Sequence, residues 1–319
     1  MVRFVIKRLL ISILIVFLVS VFAFSLMHIL PGDPAKLVLG EDATEETLQA
    51  LRAEWNLDKP LVEQYFMWLD DLLHGDFGRS ILYNRPIGDI LSERLPRTLA
   101  IGIPALMISV IVGVLFGIIS AVRRGKFVDQ LITFFSTLGI GTPSFWVGIL
   151  AILVFAIELK LLPIQGFTAP SEDFGLYVKK AIMPVLCLSW AMIASIARQT
   201  RSNMLEVINQ DYIRTARANG LSDFRIIFKH VLRNTLIPVI TIAALQVRVV
   251  IGGSLIIEQV FNIAGIGQLL KAAVSNRDYL IVQGCVLMIS LATVGCNFIV
   301  DILYGVIDPN TRRRGGKNA

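Results

Sequence analysis

The most ordered arrangement of small and polar residues in this chain lies between positions 198 and 235. Asp211 is placed to cap a short helix over 212–219, whose alanine and threonine side chains would let a partner surface approach closely. Gly220 is suited to end that helix, because glycine readily adopts the left-handed conformation found after a helix C-terminus. These residues predict a docking helix, and a linker on the membrane surface without partners is the alternative.

A second helix is predicted to begin at Asp223, with Ser222 as its cap. Its apolar residues recur with helical spacing and are predicted to line one face of the helix: Phe224, Ile227, Phe228, Val231 and Leu232. Its basic residues, spaced by four, share another face: Arg225, Lys229 and Arg233. The pattern predicts an amphipathic helix that holds the docking helix against the bilayer.

The chain offers no recognisable set of catalytic or metal-binding residues. Its histidines, His28, His74 and His230, are scattered without ligand-like spacing, which argues against a metal site within this chain. The three cysteines all lie in apolar runs, where they are not placed to cross-link a loop: Cys187, Cys285 and Cys296. The sequence has no H-E-x-x-H motif, no paired intramembrane aspartates and no phosphate-binding loop. We therefore expect a protein that is not an enzyme and does not itself hydrolyse ATP.

Composition indicates the class of protein. Of the 319 residues, 55% are hydrophobic and 17% are charged, and the mean hydropathy is +0.70. A soluble protein of this size cannot bury so much apolar surface. The net charge of +6 suggests nucleic-acid binding, but that function needs a clustered basic face on a soluble module. The composition predicts an integral membrane protein without a nucleic-acid partner.

Six apolar segments approach or exceed the roughly 20 residues needed to cross the hydrocarbon core. They are 9–30, 99–122, 131–157, 181–197, 236–257 and 280–300. The fourth is short and is expected to extend slightly on one side. The first is longer than the apolar core of a signal peptide, which favours a retained helix over a cleaved one. The sequence predicts an all-α protein with six transmembrane helices.

An even number of spans places both termini on one side of the membrane. With cytoplasmic termini, the inner segments hold 17 Lys and Arg residues and few acids, as the positive-inside rule requires. The outer segment 31–97 is instead rich in acids. It contains two predicted amphipathic helices, which follow Thr44 and Pro60. These helices either lie on the outer leaflet or form a platform that receives a partner protein.

The cytoplasmic segment resembles the inner-membrane permeases of ABC importers for peptides and nickel, in particular the B-type subunit of dipeptide and oligopeptide systems. The matching residues there are Arg201, 212–221 (Y-I-R-T-A-R-A-N-G-L), His230, Arg233, Asn234 and 236–238 (L-I-P). Further matches are 30–34 (L-P-G-D-P), 75–80 (G-D-F-G-R-S), 95–99 (L-P-R-T-L) and 261–267 (F-N-I-A-G-I-G). Arg214, Thr215 and Ala216 stand where importer permeases generally carry E-A-A, a departure typical of the peptide branch.

The resemblance implies a type I ABC importer permease fold in a bacterial inner membrane. It implies half of the translocation pathway of an ATP-driven, binding-protein-dependent importer of di- or oligopeptides, with nickel or a metal chelate as the alternative substrate. The implied partners are a homologous second permease in a heterodimer, two ABC ATPases and an extracytoplasmic solute-binding protein. ATP and Mg²⁺ would be used by the ATPases, and this chain would bind no cofactor. A stand-alone channel or secondary carrier is the remote alternative, since no internal repeat is evident.

The resemblance also implies that the docking helix is a coupling helix that enters a groove of an ATPase. The residues assigned to this coupling loop are Tyr212, Arg214, Thr215, Ala216, Arg217, Ala218, Asn219, Gly220, Leu221 and Asp223. The predicted domains are 1–98, the first span with a structured outer loop; 99–310, a five-helix core containing the coupling loop 199–235; and 311–319, a basic cytoplasmic tail.

A second group of residues is predicted to line the translocation path: Pro143, Trp146, Gln246, Arg248 and Glu258. Arg248 is a charge within the fifth span, where it costs a few kcal/mol on insertion scales. It would either face the pore and meet a peptide carboxylate, or form a structural pair with Glu258 or the second permease. The G-x-G-T-P run at 139–143 is expected to kink the third span, as a gate hinge or for close helix packing.

Overall fold

The computed structural model describes residues 2–29, 35–36, 43–80 and 82–307. Its α-helices are Val2–Ile29 (α1), Glu45–Glu54 (α2), Leu61–Leu73 (α3), Ile87–Val122 (α4), Phe127–Gly141 (α5), Ser144–Ala151 (α6), Phe174–Ile208 (α7), Asp211–Ala218 (α8), Asp223–Arg225 (α9), Leu232–Val260 (α10), Ile266–Ser275 (α11) and Tyr279–Ile307 (α12). Two helices continue as π-helix, α6 over Ile152–Glu158 and α9 over Ile226–Val231. The L-P-G-D-P match at 30–34 and the predicted tail at 311–319 lie outside the described residues.

Four helices, α1, α4, α7 and α12, are long and apolar enough to cross a membrane. Two further pairs qualify only if each bent pair counts as one span. Phe127–Gly141 and Ser144–Glu158 meet at 104°, and Asp223–Thr235 and Pro238–Val247 meet at 49°. The described residues therefore supply four to six spans, and the predicted all-α membrane architecture is confirmed.

The fourth predicted span is longer than expected. The apolar run 181–197 lies inside α7, a helix of 35 residues that extends on both sides rather than slightly on one. At its start, the Asp173 carboxylate accepts the Leu176 N–H at 2.9 Å and caps the helix. At its other end, polar residues continue the helix past the apolar run. Hydropathy locates the membrane-buried part of a helix, whereas capping and helix propensity determine its full length.

The predicted kink of the third apolar segment is present. α5 ends at Gly141, Thr142 is extended, and Pro143 stands just before α6, where its missing N–H costs no helical hydrogen bond. Gly139 also serves close packing, because a Cβ at this position would lie 2.8 Å from the Ala194 Cβ on α7. Close helix approach is therefore one reason for glycine in this run.

The chain forms two units. One unit comprises Thr98–Ile263 with the two chain ends and is called the central unit because it holds the middle of the sequence. The other comprises Ile6–Arg97 with Ala264–Gly295 and is called the flanking unit because these segments flank that stretch in the sequence. In the central unit, α7 packs against α5, α6 and α10, and its buried residues form much of the core. The predicted domain bounds at 98 and 310 remain a prediction.

The flanking unit contains the outer segment, and both of its predicted amphipathic helices are present as α2 and α3. Tyr65 on α3 contacts the outer half of α1: its ring meets Phe24 edge-on, and its hydroxyl lies 2.8 Å from the Ser20 Oγ. Asp278, just before α12, accepts hydrogen bonds from the Ser80 Oγ at 2.7 Å and the Leu82 N–H at 3.2 Å. These contacts fix the outer segment against membrane helices of the same unit.

Candidate functional site

The predicted docking helix is present as α8. Its exposed side chains include Tyr212, Arg214 and Thr215, while Ile213 is fully buried. Ile213 belongs to a core cluster, named the cytoplasmic core cluster after the predicted topology, that is formed by Ala121, Met204, Ile213, Ile226 and Val231. α8 therefore exposes most of its side chains to solvent and buries one isoleucine against the protein.

The start of α8 differs from the prediction. Gln210 is the N-cap, and Asp211, which was expected to cap the helix, is its first residue. In that position its carboxylate interacts favourably with the positive end of the helix dipole. Its carbonyl also accepts a hydrogen bond from the Thr215 Oγ1 at 3.1 Å. The predicted cap was wrong by one residue because a first-turn acid and a capping acid look alike in sequence.

The end of α8 is as predicted. Gly220 has a φ of +78°, and its N–H donates to the Arg217 carbonyl at 3.0 Å. The Leu221 N–H donates to the Ala216 carbonyl at 3.3 Å, which completes the two-bond pattern of a Schellman motif. Leu221 and Ala216 also pack together against the cytoplasmic core cluster. The turn after the helix is thus fixed by both backbone and side-chain contacts.

The helix after the turn begins at Asp223 as predicted, and part of its predicted apolar face packs against the protein. Val231 is buried, whereas Phe224 is 71% and Phe228 is 50% exposed. Ile226, which was not assigned to that face, is buried as well. It lies in the π-helix over Ile226–Val231, whose wider turns shift each side chain relative to regular α-helical spacing. Ser222 is the N-cap residue, although its side chain makes no capping hydrogen bond.

One side-chain hydrogen bond connects α8 to the helix that leads into the membrane. The Asn234 Nδ2 donates to the Tyr212 hydroxyl at 2.9 Å and also to the His230 carbonyl at 3.1 Å. Asn234 lies near the start of α10. Movement of the first turn of α8 would therefore be passed to α10 directly as well as through the intervening turn.

A buried ion pair lies beside the same core cluster. Arg201 on α7 donates from Nε to the Asp129 Oδ1 at 2.7 Å and from Nη2 to Oδ2 at 2.9 Å. Asp129, at the start of α5, is 4% exposed. It also accepts from the Ser120 Oγ at 2.5 Å and the Gly125 N–H at 2.8 Å. A carboxylate with four such donors joins α4, α5 and α7 at one point, and sequence reasoning did not single it out.

The charges on α8 are open to a partner. Arg214 and Asp211 are 3.5 Å apart, and Arg217 and Asp223 are 3.3 Å apart, with all four side chains more than half exposed. Ion pairs of this kind contribute little to stability because water screens them. Both guanidinium groups are therefore able to exchange these contacts for acidic groups on another protein.

The residues predicted to line the translocation path differ in exposure. Pro143 and Trp146 are exposed. Gln246 is buried and donates to the Ser195 Oγ at 3.4 Å. Glu258 is 1% exposed and accepts a hydrogen bond from the Thr98 Oγ1 at 2.6 Å. The Arg248 side chain lies outside the described residues, and the path assignment stays a prediction.

The flanking unit carries a second candidate surface. A cavity of about 340 Å³ lies between α1, α3, α12 and the turn that follows α2, with Trp55, Trp68, Asp71 and Asp76 among its lining residues. Aromatic and acidic side chains of this kind can receive a side chain of another protein. Within the described ranges, no three His, Cys, Asp or Glu side chains are grouped so as to hold a metal ion.

Comparison with protein families shows the family of the chain that carries this site. A model described as the inner membrane component of binding-protein-dependent transport systems matches residues 113–313, which include α8, the ion pair and the cytoplasmic core cluster. The chain belongs to this family. A companion model for the N-terminal part of such membrane components matches residues 1–102. Together these matches cover both units of the permease.

Individual relatives agree with the family. The permease is 40% identical to a protein of Sinorhizobium fredii named as a probable peptide ABC transporter permease, over 97% of this chain and 99% of the relative. It is also 40% identical to the glutathione transport system permease GsiC of Escherichia coli, over 98% of this chain and 99% of the relative. The protein is thus a multi-pass inner-membrane permease, a transport subunit and not an enzyme, with an ABC permease fold.

Proposed function

We propose that this permease forms half of the translocation pathway of an ATP-driven, binding-protein-dependent importer of peptides. In this proposal α8 is the coupling helix, and its exposed residues enter a groove of a cytoplasmic ATPase. The coupling residues are those of the predicted loop, with Ile213 added as their anchor. The translocation path would run through the central unit, which contains the predicted path residues.

The attachment of α8 is the observation that carries this proposal. The helix exposes alanine, threonine and arginine side chains, and three separate contacts hold it to the protein: the burial of Ile213, the hydrogen bond between Tyr212 and Asn234, and the fixed turn at Gly220. A helix held in this way moves as a rigid body when a partner pushes it. A membrane-surface linker without partners would not need a fixed, solvent-exposed small-residue surface.

Coupling would then proceed by rigid-body motion. Closure of two ATPases around ATP and Mg²⁺ would shift α8, and α10 would follow through Asn234 and the shared core cluster. The membrane helices would pass between inward-open and outward-open arrangements. The nucleotide biases this equilibrium because its binding energy differs between the two states. The Asp129–Arg201 pair would keep α5 and α7 together during the movement.

The remaining partners follow from the same proposal. A homologous second permease would complete the pathway as a heterodimer, and the cofactors of the reaction, ATP and Mg²⁺, would be held by the ATPases and not by this chain. An extracytoplasmic solute-binding protein would deliver the substrate. The outer surface formed by α2, α3 and the cavity beside them is the docking platform that we assign to it.

We assign peptides as the substrate class because two relatives are named for peptide substrates. One is named for peptides and another for glutathione, itself a tripeptide. Nickel or a metal chelate is the competing class within the same kind of importer. The two substrate classes are distinguished by reconstituting the complete complex in vesicles and measuring the uptake of dipeptides, longer peptides, glutathione and nickel chelates.

The partners are tested by purifying the chain from its native membranes in mild detergent and identifying every retained protein by mass spectrometry. The proposal predicts recovery of a second permease and two ATPases. Recovery of this chain alone, or with unrelated proteins, would contradict it and would favour a stand-alone carrier or channel. Arg248→Gln adds a test of the path: a loss confined to charged peptides supports a pore-facing cation, whereas a uniform loss supports a structural role.

A further inference from the structure

An exposed aromatic and basic face lies next to α8. Phe224 and Phe228 are 71% and 50% exposed, and their ring centroids are 4.5 Å apart. Arg225 and Lys229 are exposed on the same two turns, and Arg233 is exposed on the turn that follows. Exposed phenylalanine pairs are unfavourable in water, so this face requires an apolar or amphipathic environment.

The face is strongly cationic. Between 223 and 235 the chain has three Lys and Arg residues and one acid, Asp223. The Asp223 carboxylate lies 3.3 Å from the Arg217 guanidinium and is therefore directed toward α8. The charges of Arg225, Lys229 and Arg233 are then complementary to an anionic surface.

The helix that carries this face leads directly into a membrane span, so the anionic surface nearest to it is that of the bilayer. The helical backbone continues from Asp223 into α10 with a 49° bend between Thr235 and Pro238, and the apolar run of the sequence begins at position 236, eight residues after Phe228. Eight residues rise about 12 Å along a helix, which the 49° bend reduces to about 8 Å along the axis of Pro238–Val247. A headgroup layer is about 5–8 Å thick on each side of the hydrocarbon core. Phe228 thus lies at the depth of the cytoplasmic headgroups.

We propose that this face binds anionic phospholipids of the cytoplasmic leaflet. The ring of Phe228 enters the interface with the Phe224 ring packed against its outer side, and the three basic side chains contact lipid phosphates. The opposite side of the same helix carries Ile226 and Val231, which pack with Ile213 of α8. The bilayer therefore acts as a fixed support for α8 through one helix with two different faces.

The inference is independent of the proposed function, because it concerns the chain and the bilayer alone. We would place a spin label at Phe228→Cys in the full chain, with Cys187, Cys285 and Cys296 replaced by alanine. The chain is reconstituted in vesicles of phosphatidylcholine with or without phosphatidylglycerol. Collision rates of the label with oxygen, which is enriched in lipid, and with a water-soluble nickel chelate then report its depth.

The expected result is a label that is shielded from the nickel chelate in the presence of phosphatidylglycerol. Each basic residue contributes roughly a fivefold preference for the anionic surface, so the triple variant Arg225→Gln, Lys229→Gln, Arg233→Gln should weaken docking on the order of 100-fold. The matched control neutralises three exposed basic residues of another cytoplasmic turn: Arg123→Gln, Arg124→Gln and Lys126→Gln. The control should leave the shielding unchanged.

Three outcomes overturn the proposal. A label that is equally open to the nickel chelate in both vesicles would mean that the face binds no lipid, and shielding that appears only in the complete transporter would assign it to an ATPase. If the label were shielded equally with and without phosphatidylglycerol, the face would contact the bilayer without binding anionic headgroups. Salt provides a second measurement that needs no charge substitution: 1 M salt reduces the screening length to about 3 Å and should abolish the phosphatidylglycerol effect.

Discussion

The Asn234 amide donates a hydrogen bond of 2.9 Å to the Tyr212 hydroxyl and joins two helices on opposite sides of the turn at Gly220. Tyr212 lies in the first turn of α8, and Asn234 lies at the start of α10, which continues into the membrane. The contact closes the turn into a small rigid unit. A force applied to α8 therefore reaches α10 without having to travel along the connecting backbone.

Removal of this bond should loosen α8. Tyr212→Phe keeps the ring and deletes the acceptor, and a hydrogen bond of this kind stabilises by about 0.5–1.5 kcal/mol. We expect amide hydrogen exchange of the segment 211–221 to accelerate about twofold to tenfold, as measured by mass spectrometry. Asn234→Ala should have a similar effect, and the double variant should not be additive. Full additivity would mean that the two residues act separately.

Loss of the buried anchor should detach α8 from the protein. Ile213→Ala leaves a cavity in the cytoplasmic core cluster, and such truncations cost about 2–5 kcal/mol. Ile213→Val is the matched control, with an expected cost of about 0.5–1.5 kcal/mol. Thermal unfolding of the detergent-solubilised permease should separate the two variants clearly. Equal stability of the two would contradict the role of Ile213 as the anchor.

Substitution of Gly220 should act through the backbone and not through crowding. A Cβ at this position would meet no heavy atom within 4 Å, but the φ of +78° disfavours any branched residue. We expect Gly220→Val to weaken assembly with the ATPases and to uncouple their activity from substrate. Gly220→Asn tolerates the left-handed conformation and should behave nearly as wild type. Wild-type substrate-stimulated ATPase activity of Gly220→Val would reject this prediction.

The buried ion pair should require arginine specifically. Arg201→Lys keeps the charge but loses the two-point contact with the buried Asp129 carboxylate, and Asp129→Asn leaves the half-buried guanidinium without that carboxylate. Breaking a buried pair costs about 3–5 kcal/mol, so the unfolding temperature should fall markedly for Asp129→Asn and less for Arg201→Lys. The exposed neighbour provides the control, because Arg198→Lys should change nothing. A similar drop for Arg198→Lys would show that the effect is not due to the pair.

The sequence predicted the features of this region that depend on neighbouring residues. The bounds of α8 to within one residue, the left-handed Gly220 and the start of the next helix at Asp223 all follow from local capping chemistry. The break at Pro143 follows from the missing N–H of proline. Such signals act over a few residues and are readable without knowledge of the fold.

Other features depend on contacts that local patterns do not contain. Asp129 and Arg201 are 72 residues apart, and neither position has a spacing that links it to the other. The burial of Ile226 in place of Phe228 follows from a π-helix, which no i, i+4 pattern anticipates. The full length of α7 includes polar turns that hydropathy does not count. These are the points at which packing overrides periodicity.

Site-specific crosslinking from α8 tests the central claim most directly. A photoreactive amino acid at Ala218, an exposed position of α8, is activated in native membranes, and the crosslinked proteins are identified by mass spectrometry. The same amino acid at Lys126, exposed on a different cytoplasmic turn, serves as the control. We predict an ABC ATPase crosslinked from Ala218 and not from Lys126. If Ala218 gave only lipid adducts or no crosslink to an ATPase, α8 would not be the coupling helix.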